Sequence, residues 1–392
     1  MRVLAINAGS SSLKFQMYEM PEEKVIISGV FERIGIGNSF YSIKINGEKI
    51  RKELELKNHD EAVSVLIQEL FDNNVVKSLD EISGIGHRVV HGGNKYTCSV
   101  VITDEVLKDI EDLSSLAPLH NPANLIGINA CMKLIPNAVQ VAVFDTAFHQ
   151  TMEKEAYIYA IPYEWYSEYN VRKYGFHGTS HKYLANRMSE ILGTKESKVI
   201  TCHLGNGGSI SAIKDGKCID TSMGFTPNAG IMMGTRSGDV DVTIIPYVME
   251  KTNKSLTEVL DDLNKKSGYL GVSGISSDSR DIENGIESGD ERCILSQRMF
   301  VRRIVEYISR YYVILGGVDA ICFAGGIGEN SPKTRKDVID SLAVLGIKLD
   351  EESNNIKGVE RIITTKDSKV PCYIVPTDEE VMIARDTVSF IK

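Results

Sequence analysis

A pattern of strand, glycine- or serine-rich turn, strand, turn and strand occurs twice in this chain, far apart in the sequence. The first copy covers residues 3–31 and has its polar turn at residues 7–12. The second copy covers residues 198–221 and has its glycine-rich turn at residues 205–209. Repeats constrain architecture strongly because each copy must form the same supersecondary unit. The sequence therefore predicts two homologous halves, with a boundary near residue 150.

Strand-like and helical segments alternate through the rest of the chain. Apolar runs predict buried strands at residues 82–90, 139–144 and 320–323, and the pair Asn46-Gly47 predicts a hairpin. Amphipathic patterns predict helices at residues 60–73, 104–116, 121–135, 179–192 and 290–315. Strands alternating with helices imply mixed sheets covered on both faces, so the predicted fold class is α/β.

Charge and hydropathy exclude several classes of protein. The 392 residues carry 44 Lys and Arg against 53 Asp and Glu, a net charge of −9. This sign argues against broad electrostatic binding of nucleic acid. No apolar run reaches the ~18 residues that span a bilayer, and the apolar stretch at residues 3–6 is too short for a secretory signal. We expect a cytoplasmic protein without membrane or nucleic-acid partners.

The seven cysteines at positions 98, 131, 202, 218, 293, 322 and 372 are scattered and odd in number. None forms a Cys-x-x-Cys pair, so neither a disulfide framework nor a zinc site is indicated. We expect them to be reduced residues of the core.

Three glycine-rich turns follow apolar strands, at residues 7–12, 205–209 and 325–330. Glycine lets backbone N–H groups approach an anion closely, so such turns can hold phosphate. The third turn is followed by Ser331 and Pro332, a typical helix N-cap and first helical residue, whose helix N-terminus favours a phosphate. The chain has neither the usual P-loop nor a Gly-x-Gly-x-x-Gly motif after its first strand. Nucleotide binding by two facing hairpin turns is the remaining interpretation.

Basic side chains accompany these turns: Lys14, Arg88, Arg236 and Arg280. Arg88 and Arg236 lie among glycines and small polar residues, a setting that suits two-point binding of carboxylate or phosphate. Arg280 lies on a polar loop, where a surface salt bridge is an equally good interpretation.

Asp145 ends a buried strand and is either a hydrogen-bonded turn carboxylate or a positioned catalytic group. The spacing of His177 and His181 could suggest zinc, but residue 178 is Gly where the zinc motif has Glu. His181 is expected on a helix face, whereas His177 stays available to a cleft. Glu379 reads as a first-turn acid of the last helix, from which a metal role does not follow.

Eight motifs in order resemble those of the acetate kinase family. They are NAGSSSLK at 7–14, HRVVHGG at 87–93, FDTAFH at 144–149, GFHGTSH at 175–181, HLGNGGS at 203–209, GTRSGD at 234–239, GGIGEN at 325–330 and TDEE at 377–380. The resemblance implies the fold of actin, sugar kinases and heat-shock chaperone ATPases, two ribonuclease-H-like domains around a nucleotide cleft. The expected domains are residues 1–150 with the C-terminal helix 377–392, and residues 151–376.

The resemblance also implies an activity and its residues. The activity is reversible, magnesium-dependent phosphoryl transfer from ATP to acetate, giving acetyl phosphate and ADP, in a homodimer; manganese is a possible substitute. From the family's matching residues, the resemblance implies that Asn7 and Glu379 organise the metal and that Arg88 holds the acetate carboxylate. It also implies that Asp145, His177 and Arg236 are catalytic. The expected methyl pocket is Val90, Leu119, Phe176 and Pro227. The expected nucleotide site is Lys14, His203, Leu204, Gly205, Asn206, Gly207, Asp278, Ser279, Arg280, Gly326, Ile327, Gly328, Glu329 and Asn330. The matched positions differ from the family only at Asp378, where Asn is common.

The chemistry limits what Asp145 can do. A carboxylic acid titrates near ~4, so acetate is already ionised near neutral pH and needs no general base. We therefore expect Asp145 to orient Arg88, Arg236 or magnesium. Two alternatives stay open: a propionate or butyrate kinase, because an extra methylene changes binding by only ~1–3 kcal/mol, and an actin- or chaperone-like ATP switch.

Overall fold

The computed structural model describes residues 1–118 and 120–391. The described residues form fourteen strands. In chain order they are β1 (Arg2–Ala8), β2 (Ser12–Glu19), β3 (Lys24–Glu32), β4 (Phe40–Ile45), β5 (Glu48–Glu53), β6 (Ile82–Val89), β7 (Val100–Val101), β8 (Val139–Phe144), β9 (Lys198–Leu204), β10 (Gly208–Lys214), β11 (Lys217–Thr221), β12 (Ala320–Ala324), β13 (Arg361–Ile362) and β14 (Cys372–Ile374).

The same residues form fifteen α-helices. They are α1 (His59–Asp72), α2 (Asp104–Asp112), α3 (Asn121–Leu134), α4 (Lys154–Tyr157), α5 (Tyr163–Tyr169), α6 (Gly178–Leu192), α7 (Ile244–Thr252), α8 (Leu256–Lys265), α9 (Gly268–Ser273), α10 (Ser279–Glu287), α11 (Glu291–Ile314), α12 (Gly325–Asn330), α13 (Pro332–Ser341), α14 (Glu351–Asn354) and α15 (Glu379–Val388). Short 3₁₀ turns occupy Leu79–Glu81, Leu113–Ser115, Ala147–Thr151 and Ala343–Leu345.

The chain groups into two compact units, Met1–Phe148 with Asp378–Lys392, and His149–Thr377. The first unit contains an eight-stranded sheet in the order β5-β4-β3-β2-β1-β6-β8-β7. Its neighbours β1, β6 and β8 are parallel, whereas the pairs from β1 to β5 are antiparallel. The central strand β1 is buried over most of its length, as expected for a strand with parallel and antiparallel neighbours inside a covered sheet.

The second unit repeats this arrangement in a six-stranded sheet, β11-β10-β9-β12-β14-β13. Here β9, β12 and β14 are parallel, and β9, β10 and β11 are antiparallel. The order β3-β2-β1-β6-β8 of the first sheet thus matches β11-β10-β9-β12-β14 of the second. The α/β fold class with two mixed sheets is confirmed, and the sheet orders agree with the sequence repeat.

The C-terminal helix α15 packs closely on β6 because that strand carries glycine where the helix crosses it. A Cβ added at Gly86 would lie 2.3 Å from Thr387 Oγ1 and 2.5 Å from Ile383 Cγ2, and one added at Gly84 would lie 2.7 Å from Ile391 Cδ1. Any side chain at these positions would push the helix away from the sheet. The two glycines therefore allow the second half of α15 and the residues after it to lie directly on β6.

Two expectations from the sequence are wrong. Residues 325–330 form the short helix α12 and not an open turn, although Ser331 does cap α13 by accepting a hydrogen bond from Thr334 N. Cys98 is exposed and not a core residue, because it lies on the loop before β7, whereas the other six cysteines are buried and free. Within the described residues, no helix is both long and apolar enough to cross a membrane.

Candidate active site

In the first unit, Arg88 and Asp145 meet at one edge of the sheet. Arg88 lies near the end of β6 and Asp145 directly follows β8, and the two strands are parallel neighbours. The carboxyl ends of parallel strands share an edge, where ligands bind in open α/β sheets. Arg88 Nε donates to Asp145 Oδ1 at 3.0 Å and Arg88 Nη2 to Oδ2 at 2.5 Å. The Asp145 side chain is only 1% exposed, so this two-point ion pair holds the guanidinium in one orientation.

Asn7 and Glu379 lie beside that guanidinium. Asn7 Oδ1 accepts a hydrogen bond from Arg88 Nη1 at 3.3 Å. Burial is the main cause that raises the pKa of Glu379 to about 7; the positive charges of Arg88 and Lys14 oppose this rise, and the nearby carboxylates of Asp145 and Glu380 add to it. Asn7 and Glu379, predicted to bind the metal, therefore lie in one cluster with Arg88, predicted to bind the carboxylate.

Two other predicted residues of this unit have different surroundings. Lys14 Nζ pairs with Glu380 at 2.5 Å, and its side chain is 54% exposed. Val90 is buried, and its backbone N–H donates to Asn124 Oδ1 at 3.1 Å. Leu119, the third residue predicted here, lies outside the described residues.

In the second unit, His177 adopts a backbone conformation that non-glycine residues rarely take. It is the N-cap of α6 with φ 55°, in the left-handed region. Its ring stacks on His203 with centroids 4.4 Å apart, and its Nδ1 lies 2.9 Å from Ser209 Oγ. Strained residues fixed by several contacts occur preferentially at functional sites, which agrees with the catalytic role predicted for His177.

Gly207 provides the space onto which His177 and Arg236 converge. A Cβ added at Gly207 would lie 3.3 Å from Arg236 Nη1 and 3.6 Å from His177 Nε2. Arg236 donates to Pro227 O at 3.4 Å and has no carboxylate partner among the residues that the structure describes. Burial lowers its pKa, but a guanidinium stays charged near neutral pH. An unpaired, partly buried cation beside a histidine is suited to bind an anion.

A cavity of about 610 Å³ lies beside the glycine segments of this unit. Eight of the predicted nucleotide residues line it: Gly205, Asn206, Asp278, Ser279, Arg280, Gly326, Ile327 and Asn330. His203 Nε2 and the backbone N of Gly326 would lie 3.8 and 4.0 Å from a Cβ at Gly205, so both face the same turn. The N-terminus of α12 supplies further N–H groups, although at six residues this helix is short.

Three predicted nucleotide residues, Leu204, Gly328 and Glu329, are not among the residues that line this cavity, and Arg280 in its lining already has a partner. Leu204 is fully buried, and Gly328 is also buried. Glu329 Oε1 accepts hydrogen bonds from Gly325 N at 2.8 Å and Thr377 N at 3.1 Å. Arg280 forms a two-point ion pair with Asp278, the interpretation that the sequence left open, and this pairing lowers the pKa of Asp278 to about 2.

The cavity also contains three residues that the sequence interpretation missed, Ser277, Glu283 and Lys357, together with Ser331, which the sequence predicted as a helix N-cap. Glu283 lies four residues after Ser279 on α10, and this spacing places both on one helix face. The position of Lys357 in the cavity could not be predicted from the sequence, because a residue far away in the chain holds its loop in place. Arg335, fully buried, donates to Gly328 O at 2.8 Å and to Ile356 O at 2.8 Å.

The remaining predicted pocket residues are Phe176 and Pro227. Phe176 is 2% exposed, and its carbonyl oxygen lies 2.9 Å from His149 Nε2. Pro227 is partly exposed and accepts the hydrogen bond from Arg236 described above. Their common pocket with Val90 stays a prediction.

This chain is similar over nearly its whole length to proteins of known family. The chain matches the acetokinase family over residues 2–385. It is 56% identical over 389 residues to the acetate kinase of Bacillus cytotoxicus, covering 99% of this chain and 98% of that protein. The crystal structure of Porphyromonas gingivalis acetate kinase is similar with a TM-score of 0.95, 46% identity and full coverage of both chains. A propionate kinase from Francisella tularensis gives a TM-score of 0.95 at 42% identity, again with full coverage of both. With a match that spans almost its whole length, the chain belongs to the acetokinase family.

Proposed function

We propose that this protein is an acetate kinase, which transfers the γ-phosphoryl group of ATP to acetate and forms acetyl phosphate and ADP. Family membership and the acetate kinases among its relatives support the reaction and the substrates. Within the geometry, the observation that carries the proposal is the convergence of Arg236 Nη1 and His177 Nε2 on the space beside Gly207. Two donors facing one small space suit a phosphoryl group with charge on its equatorial oxygens.

In the reaction, a carboxylate oxygen of acetate forms a bond to the γ-phosphorus as the bond to the β-phosphate oxygen breaks. Acetate is ionised near neutral pH, so no proton must be removed. Arg88 binds the carboxylate, and Asp145 acts as a positioning residue because it holds Arg88 by a buried two-point ion pair. His177 and Arg236 stabilise the charge that spreads over the transferring group.

We propose Mg²⁺ as the metal, with Mn²⁺ as a possible substitute. Asn7 and Glu379 offer an amide and a carboxylate oxygen, the hard donors that such ions prefer. A divalent cation would favour the ionised form of Glu379, whose pKa burial raises to about 7, so the residues fit. No group of three or more His, Cys, Asp or Glu in the described residues is arranged to hold a metal, and Mg²⁺ in kinases is bound largely through water and substrate phosphates. When bound, it would neutralise charge on the phosphates.

We assign the nucleotide to the 610 Å³ cavity and the glycine segments beside it. We also propose that the two compact units are the two domains expected from the sequence, which the repeated sheet order supports. The homodimer and the cytoplasmic location stay predictions from the family resemblance.

Propionate is a second candidate acceptor because one similar structure is a propionate kinase. The proposed methyl pocket of Val90, Leu119, Phe176 and Pro227 would discriminate one methylene by only ~1–3 kcal/mol. We therefore expect propionate to be accepted with lower kcat/KM than acetate.

The test is release of ADP from magnesium-ATP with acetate, propionate, butyrate, glycerol or no acceptor in parallel. We expect acetate-dependent ADP release, with acetyl phosphate trapped by hydroxylamine as the hydroxamate, and lower rates with the longer acids. Faster turnover of propionate than acetate would assign the protein to the propionate kinases. Slow ADP release independent of every acceptor would refute the kinase assignment and favour the ATP-switch alternative.

A further inference from the structure

A line of hydrogen-bonding side chains extends behind His177, away from Gly207. His177 Nδ1 lies 2.9 Å from Ser209 Oγ, and the same hydroxyl lies 2.7 Å from His181 Nε2. The other ring nitrogen of His181, Nδ1, lies 2.7 Å from Thr201 Oγ1. One serine hydroxyl therefore joins the two imidazoles, and a threonine hydroxyl ends the line.

This line is shielded from water. Ser209, His181 and Thr201 are all 0% exposed. Burial lowers the pKa of His181 well below its ordinary value, and the neighbouring histidines His149 and His203 lower it further. His181 is therefore a neutral imidazole with a single ring proton near neutral pH, and it must donate at one nitrogen and accept at the other.

The protons on this line can be arranged in three ways when His177 is neutral. Ser209 has one hydroxyl proton and two lone pairs, so it either donates to one ring nitrogen and accepts from the other, or accepts from both. In one order, Thr201 donates to His181 Nδ1, His181 Nε2–H donates to Ser209, and Ser209 donates to His177 Nδ1. In the reverse order, and when Ser209 accepts from both rings, His177 Nδ1–H donates to Ser209 and His177 Nε2 carries a lone pair.

We propose that Ser209 and His181 are positioning residues that keep the ring proton of neutral His177 on Nε2. This inference rests on the proposed function, because the phosphoryl group beside Gly207 requires a donor and is repelled by a lone pair. His177 Nε2 lies on the side of Gly207 and Arg236 Nη1, where the anion would be bound. The hydrogen bond at one ring nitrogen selects the tautomer and thereby the donor at the other nitrogen.

The tautomer can be measured directly without turnover. Protein labelled with ¹⁵N-histidine is studied by NMR at pH 8.5, where a histidine with an ordinary pKa near ~6.5 is neutral, and loss of signals in the His177→Gln variant assigns the ring. The expected wild-type result is a protonated Nε2 and an unprotonated Nδ1. In Ser209→Ala the two nitrogens of His177 should show averaged shifts, because the selecting donor is gone.

Two further variants separate selection of the tautomer from structural damage. Ser211→Ala is the matched control, because Ser211 is also 0% exposed on β10 but bonds Thr221 Oγ1 at 2.9 Å. It should leave the His177 signals unchanged. Thr201→Val keeps Ser209 but removes the hydroxyl at the far end of the line, so it should also shift the His177 tautomer and serves if Ser209→Ala does not fold.

Kinetics give an independent readout. Loss of one hydrogen bond should lower kcat of Ser209→Ala by about three- to tenfold with KM for ATP nearly unchanged, whereas Ser211→Ala should keep wild-type kcat. A wild-type His177 with its proton on Nδ1, or wild-type His177 shifts in both Ser209→Ala and Thr201→Val, would overturn the inference. Absence of acetate-dependent ADP release would instead refute the proposed function, whatever the NMR shows.

Discussion

Replacing Asp145 with Asn removes one negative charge from a buried ion pair while keeping the size of the side chain. The amide oxygen can still accept one hydrogen bond from Arg88, but the amide NH₂ would face the second guanidinium donor, which now bonds Asp145 Oδ2 at 2.5 Å. A hydrogen bond between charged groups contributes about 1.5–3 kcal/mol. Loss of one such bond, with displacement of Arg88, should lower kcat/KM for acetate by about hundredfold.

The assay is acetate-dependent ADP release at saturating magnesium-ATP between pH 8 and 9. This range lies above the pKa of Glu379, about 7, which Asp145 helps to raise and which Asp145→Asn would therefore lower. If Asp145 positions Arg88, Asp145→Asn lowers kcat/KM by the same factor throughout this range, because acetate stays ionised. Nearly full turnover in the variant would refute the positioning role.

Asp220→Asn is the matched control. Asp220 also forms a buried ion pair, with Lys173 Nζ at 2.5 Å, and its side chain is 3% exposed. Breaking a buried pair costs about 3–5 kcal/mol in stability, so both variants should unfold at lower temperature. Only Asp145→Asn should lose activity; an equal loss of kcat/KM in Asp220→Asn would attribute the effect to destabilisation.

Three further results are expected. Arg236→Ala should lower kcat by about hundredfold with a smaller change in the KM for acetate, and a change in KM alone would assign Arg236 to substrate binding. Gly207→Ala should fold normally but lower kcat by about tenfold, because its Cβ would lie 3.3 Å from Arg236 Nη1 and 3.6 Å from His177 Nε2; wild-type kcat would contradict this. Burial lowers the pKa of His87 to about 4 from 6.5, so the unfolded chain takes up a proton that the folded chain resists, and stability falls as pH decreases from 6.5 towards 4. In His87→Gln, the fall in the free energy of unfolding between pH 6.5 and pH 4 should be smaller by about 3 kcal/mol. Urea unfolding between pH 4 and 8 measures this free energy, and a fall equal to that of the wild type would refute the prediction.

Much of the site was predictable because its residues follow strands. Asn7, Arg88 and Asp145 come at or after the ends of apolar runs, and parallel neighbours bring such ends to one edge. The sequence could not say which of two interpretations of Asp145 is right. The ion pair with Arg88 supports the positioning role of Asp145, because it holds the guanidinium in place. This pair forms only in the register that places β6 beside β8, which the sequence does not show.

The line of hydrogen-bonding side chains behind His177 was not predictable from the sequence. The sequence showed two histidines four residues apart but not what lies between their rings. Ser209 reaches both only because β10 pairs with β9 in a register that sets Ser209 opposite His203. The same pairing sets Ser211 opposite Thr201, while α6 directs His181 onto that face of the sheet.

The sequence alone determined the α/β class, the repeated strand order, the family motifs and the positions of the glycine-rich segments, since these depend on local patterns of side-chain size and polarity. The tertiary structure decided the contacts between distant segments. Arg335 fixes the loop of Lys357 through carbonyl oxygens of Gly328 and Ile356, and no local pattern encodes such a bond. The physical reason is that strand register and helix packing arise from burial summed over the whole core, whereas a motif records only the residues next to one another.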